Sequence, residues 1–500
     1  MKRKASAQPT VRTREDAEKH LARLTRILSR TDPISKHREV ELLVERAILL
    51  TQLGRPSEAR EDHLRVLALD DTHLTNLLEL GRLLVSTGQR KAAQVVYAQA
   101  VKHHPNDIIS RVNLGSSLLE LDDPAGAREQ YEIALQFDPE LPEAHGGMYY
   151  ALNRLGEFDD AELHQKKAFG SKNLFQSPYR GDAPAIPIIL LVSSTGGNTP
   201  VEKLLDDTVF QTYTVVADFY DPNTPLPPHR LIFNGIGDVE VATEALIACD
   251  ALLKQTSAKV LNSPSAVLAT SRSANASRLA ALPGVSTAKT ALYPYTLLAD
   301  DQGPAALERD GFTFPVLLRV PGFHMGQHFV QIDTPSQLAS QVATLPGASH
   351  PQAELLAIEY LDARGADGNF RKFRAMFIGG EIFPLHLAIS QNWKIHYFSA
   401  DMATRADHRE EEQRFLADMP TFIGPRAMAG LQAIQSALGL DYGGIDFGLS
   451  STGDVLLFEA NATMVVQQPD PDPLWDYRRA AVDRIHIAFR ELLLNNCTSG

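Results

Sequence analysis

The sequence predicts a multidomain protein in which an all-α repeat array is followed by an α/β domain and then by an α+β domain. Three observations predict this arrangement: residue columns that recur every 34 positions, apolar runs that alternate with helical stretches, and a late hairpin with oxygen-bearing side chains. The 500 residues are 44% hydrophobic and 22% charged, which is the composition of a globular chain long enough for several cores.

The repeat columns begin at Gly54, and steps of 34 residues lead to Gly88, Asp122 and Gly156. Two columns of mostly small residues keep the same step, and their members are Ala59, Ala93, Ala127, Ala161, Val66, Ala100, Ala134 and Ala168. Apolar residues between the columns have the spacing of one helix face. Each repeat is therefore predicted to be a helix, a short turn at the Gly or Asp column, and a second helix. Residues 14–30 predict one further helix.

Changes in composition mark the predicted domain boundaries. Gly181 and several prolines lie between Ser171 and Pro187, and such a segment is typical of a linker. The predicted divisions are an N-terminal helix and flexible start at 1–37, repeats at 38–171, a linker at 172–186, an α/β domain at 187–290 and an α+β domain at 291–500.

The charge balance and the cysteine count exclude several classes of protein. Asp and Glu number 61 against 48 Lys and Arg, which gives a net charge of −13. Because binding to a phosphate backbone needs dense Lys and Arg, we expect no nucleic-acid partner. No apolar run has the length of a membrane helix, so we expect no membrane partner. Two cysteines, Cys249 and Cys497, cannot form a disulfide framework, and we expect a cytoplasmic protein.

The segment after the linker predicts a small parallel sheet. Ile188–Val192 is a short apolar run, and later runs at 213–217, 230–233 and 259–262 alternate with a helical stretch at 240–254. Ligands tend to bind beyond the carboxyl ends of such strands. The loop at 193–198 follows the first strand, and its Thr-Gly-Gly-Asn sequence fits a plain turn as well as a ligand loop.

A hairpin near the C-terminus carries the most informative polar residues. Asp446 lies on the first strand, a turn follows at 451–454, and Glu459 and Asn461 lie two apart on the returning strand. Residues two apart on a strand project from the same face. Three hard oxygen ligands on one face predict a Mg²⁺ site that serves a nucleotide, with Mn²⁺ as an alternative metal. The alternative interpretation is a polar strand face without a ligand.

Three earlier segments predict strands with charged ends. Residues 314–320 carry Arg319 and lead into a glycine-bearing loop with His324 and Gly326, a kind of loop that can donate backbone N–H groups to phosphates. Residues 354–362 end in acidic side chains. Residues 371–381 form a basic strand and a turn that contain Arg374.

The front part of the chain resembles the tetratricopeptide repeat (TPR), on the basis of the period of 34 residues and the small-residue columns at about 38–171. Such arrays usually bind a peptide or another protein. The resemblance therefore implies a peptide or protein partner for the repeats.

The order of segments in residues 187–494 resembles the ATP-grasp superfamily of carboxylate–amine ligases. The resemblance implies a pre-ATP-grasp α/β domain at 187–290 and an ATP-grasp domain at 291–500. It also implies ATP and Mg²⁺ as cofactors, with a small carboxylate and an amine as substrates. In that chemistry the carboxylate forms an acylphosphate, from which the amine displaces phosphate.

The resemblance also implies roles for individual residues. Arg319 and Arg374 would stabilise the transferring phosphoryl group as catalytic residues, and Asp446, Glu459 and Asn461 match the metal ligands. The residues to which it assigns contacts with the nucleotide are Arg272, Arg319, His324, Gly326, Glu359, Tyr360, Leu361, Asp362 and Arg374.

This chain departs from the family in its cations. Arg272 and Arg319 stand where the family usually has lysines, and the usual arginine before the final segment is not obvious. Lys394, His396 or Arg405 could replace that arginine near the substrate. Alternation from 385 to 397 predicts that Lys394 and His396 share a strand face, and an acceptor pocket and a structural role are equally compatible with this pattern.

Three functions remain open from the sequence. The first is an ATP- and Mg²⁺-dependent ligase whose TPR repeats recruit a peptide or protein. The second is a nucleotide-binding TPR scaffold that has lost turnover, and the third is an ATP-grasp kinase.

Overall fold

The computed structural model describes residues 14–30, 34–201, 204–321, 328–346, 353–395, 397, 400–469 and 472–497, apart from the side chains of Arg14, Arg272 and Ser273. The chain divides into two compact units. The first consists of Met1–Ala185 and Asp207–Gln211, and the second of Ile186–Asp206 and Thr212–Gly500.

The first unit is built mainly from paired helices. Its described elements are α1 (Arg14–Leu28), α2 (Lys36–Gln52), α3 (Pro56–Leu69), α4 (Leu74–Ser86), α5 (Arg90–His103), α6 (Ile108–Glu120), α7 (Pro124–Phe137), α8 (Pro142–Leu155), α9 (Phe158–Phe169) and the strand β1 (Leu174–Gln176). The four predicted helix pairs and the additional helix near residue 14 are confirmed.

The turns inside the helix pairs explain the first repeat column. Gly54, Gly88, Asp122 and Gly156 each separate the two helices of a pair, and each has a positive φ between 64° and 82°. A left-handed residue ends a helix at little cost when it is glycine, and Asp tolerates this conformation better than most other residues. The column therefore marks the turn that the 34-residue period repeats.

Small residues and tyrosine rings form the core of the array. The alanines of the column that begins at Ala59 are almost completely buried. A Cβ built on Gly81 would overlap the Tyr97 ring, and a Cβ on Gly115 would come within 2.8 Å of the Tyr131 ring. These glycines leave the space that the tyrosines of the following helices fill. The helical repeat region therefore resembles the TPR in both period and packing.

The second unit combines strands and helices. Its described elements are β2 (Ile186–Val192), β3 (Phe210–Val216, which begins in the first unit), β4 (Leu231–Asn234), α10 (Val239–Leu253), β5 (Lys259–Leu261), α11 (Pro264–Leu268), α12 (Arg272–Leu279), β6 (Val285–Thr287), β7 (Thr290–Pro294), α13 (Tyr295–Leu298), α14 (Gly303–Arg309), β8 (Val316–Arg319), β9 (Phe329–Ile332), α15 (Leu338–Val342), β10 (Glu354–Glu359), β11 (Phe370–Ile378), β12 (Glu381–Ser390), α16 (Ala406–Ala417), α17 (Met419–Leu438), β13 (Tyr442–Leu449), β14 (Val455–Asn461) and α18 (Asp476–Cys497).

The predicted parallel sheet is present at the start of this unit. Strands β3, β2, β4 and β5 are neighbours in that order, and β4 pairs in parallel with both β2 and β5. The middle of β2 and all of β4 are buried. This burial on both faces explains why the strands are continuous apolar runs in the sequence.

Two further sheets contain most of the residues discussed below. One has the order β7-β10-β8-β9, and the other has the order β12-β11-β13-β14-β6. Strand β6 lies within the predicted 187–290 domain but pairs in parallel with β14 of the hairpin. The division of residues 187–500 into two domains stays a prediction.

Residues 391–395 do not continue the strand that was predicted for 385–397. Strand β12 ends at Ser390, and Lys394 lies in a bend. The Ser390 hydroxyl accepts a hydrogen bond from the Asn392 backbone N–H (3.1 Å), so a local turn replaces the ladder there. Alternation therefore does not carry over to Lys394, and His396 lies outside the described residues.

Candidate functional site

A row of polar side chains crosses one face of the hairpin sheet. Arg374 of β11 is the cross-strand partner of His386 on β12 and of Asp446 on β13, and Asp446 is in turn the partner of Glu459 on β14. Directly opposite residues of antiparallel strands lie on the same face, with Cβ atoms roughly 5 Å apart. Four neighbouring strands of the sheet thus contribute one residue each to a single row, His386, Arg374, Asp446 and Glu459, which we call the polar row.

Strands β12 and β14 each contain a bulge next to this row. The register between β11 and β12 shifts after Arg374, which leaves Leu385 as an extra residue, and the register between β13 and β14 shifts after Asp446, which leaves Phe458 as an extra residue. A bulge re-aims side chains and is over-represented beside active sites. The two bulges place His386 and Glu459 in line with Arg374 and Asp446.

Asp446 is the most strongly bound member of the row. Its carboxylate accepts hydrogen bonds from Arg374 Nε (2.6 Å) and Nη2 (2.8 Å) and from Lys372 Nζ (3.1 Å). The residue is 3% exposed. Burial alone would raise the pKa of Asp446, but the attraction of Arg374 and Lys372 and the hydrogen bonds from Arg374 hold it well below its usual range. Asp446 is therefore a buried, ionised carboxylate between two cations.

The donor set at the end of the hairpin is compatible with a divalent cation. Asn461 is opposite Gly444 and two residues from Glu459, so Asp446, Glu459 and Asn461 share one face. The Asn461 Oδ1 accepts hydrogen bonds from the backbone and hydroxyl of Thr463 (3.0 and 3.1 Å). Two carboxylates and an amide oxygen suit Mg²⁺ chemically. Within the described ranges there is no cluster of three or more His, Cys, Asp or Glu residues fit to bind a metal, so a metal here would rely on the amide.

His386 continues the row into the interior of the unit. Burial and then the nearby Arg374 charge lower the pKa of His386 well below its usual value, so the imidazole is neutral. Its ring lies 4.8 Å from the Tyr397 ring, and Tyr397 Oη donates to Glu412 Oε2 (3.1 Å). Glu412 is fully buried, and it also accepts from the Leu387 backbone N–H (3.2 Å). These contacts anchor the segment after β12 to α16.

The predicted adenine-contacting segment lies beside this face. Glu359 ends β10, and its backbone N–H donates to the Lys289 carbonyl (2.8 Å). Asp362 is paired with Arg364, whose side-chain hydrogen bonds lower the pKa of Asp362. A Cβ built on Gly448, which follows Asp446 by two residues on β13, would lie 2.6 Å from the Ala363 Cβ. The end of the segment Glu359–Asp362 is therefore close to the row on β13.

Arg319 and Lys394 lie near each other at the other sheet. Arg319 ends β8 and pairs with Phe329 on β9. Lys394 Nζ donates to the Phe329 carbonyl (3.2 Å), and the Trp393 ring packs edge-on against the Phe329 ring at 5.2 Å. Phe329 thus brings two of the predicted cations to one end of this sheet.

Of the remaining predicted residues, only the Arg405 side chain is described, and it is not part of the polar row. Arg405 forms a two-pronged ion pair with Asp407 at the exposed start of α16. Arg272 begins α12, but its side chain is outside the described part of the chain, as are His324, Gly326 and His396.

Two members of the site were missed by the sequence interpretation. Lys372 lies two residues before Arg374 on β11, so the spacing alone predicts a shared face. His386 has apolar neighbours in the sequence, and only the pairing of β12 with β11 reveals its place beside Arg374. The loops after β2 and β4 also approach the hairpin end: Thr199 Oγ1 donates to the Ala462 carbonyl (2.6 Å).

No protein-family model matches the sequence, and no curated protein matches it. Among solved structures, a crystal structure of MamA is 22% identical and covers 33% of this chain and 95% of its own chain, with a TM-score of 0.29. A MamA structure from Desulfovibrio magneticus RS-1 is 23% identical and covers 31% and 85% of the two chains, with a TM-score of 0.28. YrrB, described as a TPR protein with an unusual peptide-binding site, is 19% identical and covers 32% and 79%, with a TM-score of 0.28.

These scores are too low for the similarities to support an argument about this chain. The description of the first unit as a TPR-like helical array rests instead on its own helix pairs and their period of 34 residues. Among the described helices, none is long and apolar enough to cross a membrane.

Proposed function

We propose that the second unit is an ATP- and Mg²⁺-dependent ligase that joins a carboxylate to an amine. The observation that carries the proposal is the polar row His386–Arg374–Asp446–Glu459 across four strands, flanked by Lys372 and Asn461. Buried charges are costly, and they cluster where a ligand of complementary charge is bound. Two cations beside two carboxylates and an amide suit a polyphosphate together with a divalent cation.

In this proposal some residues of the row would bind the metal and others would bind the phosphates. Asp446, Glu459 and Asn461 would hold Mg²⁺, which supplies charge compensation for the phosphate oxygens when it is bound. Arg374 would donate to phosphate oxygens through guanidinium N–H groups that its two hydrogen bonds to Asp446 do not use. Arg319 is the second proposed catalytic cation, and Glu359–Asp362 would contact the adenosine.

The proposed reaction has two steps. A carboxylate oxygen of the substrate attacks the γ-phosphorus of ATP, the bond to the β–γ bridging oxygen breaks, and ADP leaves. The amine nitrogen then attacks the carbonyl carbon of the acylphosphate, phosphate leaves, and the nitrogen loses one proton. Arg374 and Arg319 would stabilise the charge on the transferring phosphoryl group by fixed hydrogen bonds.

The helical repeats would recruit a peptide or protein substrate. The helices α7, α8 and α9 form an open groove of about 340 Å³, with Leu135, Met148 and Leu152 among its lining residues. The lining also includes Asp160 and the ion pair between Arg128 and Glu132 (2.7 Å), so the groove combines apolar contact with charges of both signs. Such a groove suits an extended segment with apolar and polar side chains.

Release of ADP and of phosphate, measured separately, tests the proposed activity. ATP with Mg²⁺, a panel of carboxylates and a panel of amines are supplied to the wild type and to Asp446→Asn. A ligase releases both products in equal amounts only when both substrates are present, and the variant releases neither. ADP without free phosphate would identify a kinase instead.

A second candidate is a nucleotide-binding scaffold without turnover. The observation that favours it is that Asp446 is already in ion pairs with Arg374 and Lys372, with which a metal would have to compete. A thermal shift with ATP and Mg²⁺ but no product with any substrate pair would support this candidate. At a hundred times its Kd a ligand stabilises the fold by about 2.7 kcal/mol, which a thermal shift detects readily.

A further inference from the structure

Lys372 is the second cation that contacts the Asp446 carboxylate, to which Arg374 already donates two hydrogen bonds. Its Nζ lies 3.1 Å from Asp446 Oδ2, and its side chain is 18% exposed. The Arg374 guanidinium binds both oxygens of the same carboxylate through two parallel hydrogen bonds. One arginine in this geometry neutralises one carboxylate, so Lys372 adds a positive charge that Asp446 alone does not require.

Keeping Lys372 in this place has an energetic cost. A mostly buried ammonium gives up much of its hydration, and the four-carbon side chain gives up rotamer freedom. Its cross-strand partner on β12 is Ala388, which provides no charge. The carboxylates of the row compensate this charge only as long as no divalent cation binds them, and an anionic ligand over this face would then take their place as the partner of Lys372.

We propose that Lys372 is a phosphate-binding residue of this site and contacts the polyphosphate of the bound nucleotide. The inference deepens the proposed function and rests on it for the identity of the nucleotide. The two cations Lys372 and Arg374 lie beside the two carboxylates Asp446 and Glu459, so these four charges balance. A divalent cation on the carboxylates leaves both cations available to an anion. A positive charge on a flexible side chain can follow a phosphate oxygen that the Arg374 guanidinium, held by Asp446, does not contact.

Two probes test this assignment in the full-length protein: ATP with Mg²⁺, and inorganic tripolyphosphate with Mg²⁺, which has no base or ribose. Calorimetric titration measures the Kd of each probe for the wild type, Lys372→Met and Lys372→Arg. The matched control is Arg371→Met, which removes a cation from the adjacent position on β11, on the opposite face, where Arg371 pairs with Glu411 and Asp367. Urea unfolding confirms that each variant is folded, and Lys372→Gln replaces Lys372→Met if that variant is not.

We expect Lys372→Met to weaken binding of both probes about tenfold or more, which is the typical loss of a hydrogen bond to a charged group. Lys372→Arg should retain most of the affinity, and Arg371→Met should bind like the wild type. Equal affinity of Lys372→Met and the wild type for both probes would overturn the assignment, as would an equal loss in Arg371→Met.

The two probes also separate this inference from the proposed function. If tripolyphosphate binds with the expected dependence on Lys372 but ATP does not bind, the phosphate site is supported and the ATP-dependent ligase fails. If ATP binds and Lys372 has no effect, the inference fails and the ligase proposal survives. If the wild type binds neither probe, both fail.

Discussion

Burial should make one of two nearly identical ion pairs far more important for stability than the other. Arg374 and Asp446 form a two-pronged pair at 2.6 and 2.8 Å, and Arg405 and Asp407 form one at 2.9 and 2.6 Å. The side chains of the first pair are 22% and 5% exposed, and those of the second are 49% and 61% exposed. Replacing each arginine by methionine compares how much each pair contributes to stability, because the hydrogen-bond distances of the two pairs are nearly the same.

The expected magnitude follows from what the substitution leaves behind. Removing one partner of a buried ion pair costs roughly 3–5 kcal/mol, because the other charge stays buried without compensation. Lys372 still contacts Asp446 in Arg374→Met, so we expect a loss near the lower limit, about 3 kcal/mol. In Arg405→Met the exposed Asp407 becomes hydrated, so the urea midpoint of this variant should not differ measurably from that of the wild type.

Urea unfolding of both variants and of the wild type, from about pH 8 to about pH 3, is the assay. Asp446 has a depressed pKa in the folded state, so its contribution to stability is present above its ordinary value of 3.8 and is lost as the pH falls through the folded value. The difference between the wild type and Arg374→Met should therefore be constant near neutrality and narrow below about pH 4. An equally small effect of both substitutions would refute the reasoning.

Three further predictions concern the helical array. Gly88→Ala should lower the free energy of unfolding by about 1 kcal/mol through backbone strain alone, because a Cβ there meets nothing within 4 Å. Asp122→Gly should raise the free energy of unfolding by up to about 1 kcal/mol because it removes that strain. Urea unfolding that gave the opposite signs would contradict this. Gly81→Ala should cost about 1–3 kcal/mol because the new Cβ overlaps the Tyr97 ring, and this loss should disappear in the background Tyr97→Ala, as a double-mutant cycle would measure. Burial lowers the pKa of His63, so the contribution of the neutral side chain to stability is lost as the pH falls below about 6.5. Between about pH 7 and pH 5 the urea midpoint of the wild type should therefore fall more than that of His63→Met. Parallel pH profiles of the two proteins would reject this prediction.

The array was predictable because each repeat uses the same local chemistry. A left-handed turn restricts its residue to glycine or a close substitute, and tight helix contacts restrict theirs to alanine. Gly54 and Ala59 therefore leave a visible trace every 34 residues. Non-local information is not needed to find such elements.

The site was predictable only within single strands and hairpins. Glu459 and Asn461 are two apart, and a tight turn links their strand to Asp446, so a shared face follows from local geometry. The pairing of β11 with β13 joins residues that are 72 positions apart, Arg374 and Asp446. Periodicity contains no information about such a pairing, so the charge environment of Asp446 required the structure.

The prediction that Lys394 lies on a strand was wrong because alternation does not reveal where a strand ends. Polar residues follow Ser390 in a pattern that also fits a continuing strand. A hydrogen bond from the Asn392 backbone to the Ser390 hydroxyl instead turns the chain. Side chains that bond to their own backbone compete with the sheet at such points.

The bulge at Phe458 means that this one residue can be removed without turning any other side chain of the strand over. Leu457 before the bulge and Ala460 after it both face the core, although they are an odd number of residues apart. Without Phe458, Leu457, Glu459 and Ala460 would follow simple alternation, with Glu459 on the polar face. A residue lost from the turn at 450–454 and taken up by straightening at Phe458 would instead turn Leu457 away from the core and shift β14 against β6. The hairpin therefore tolerates a deletion at the bulge better than one at its tip.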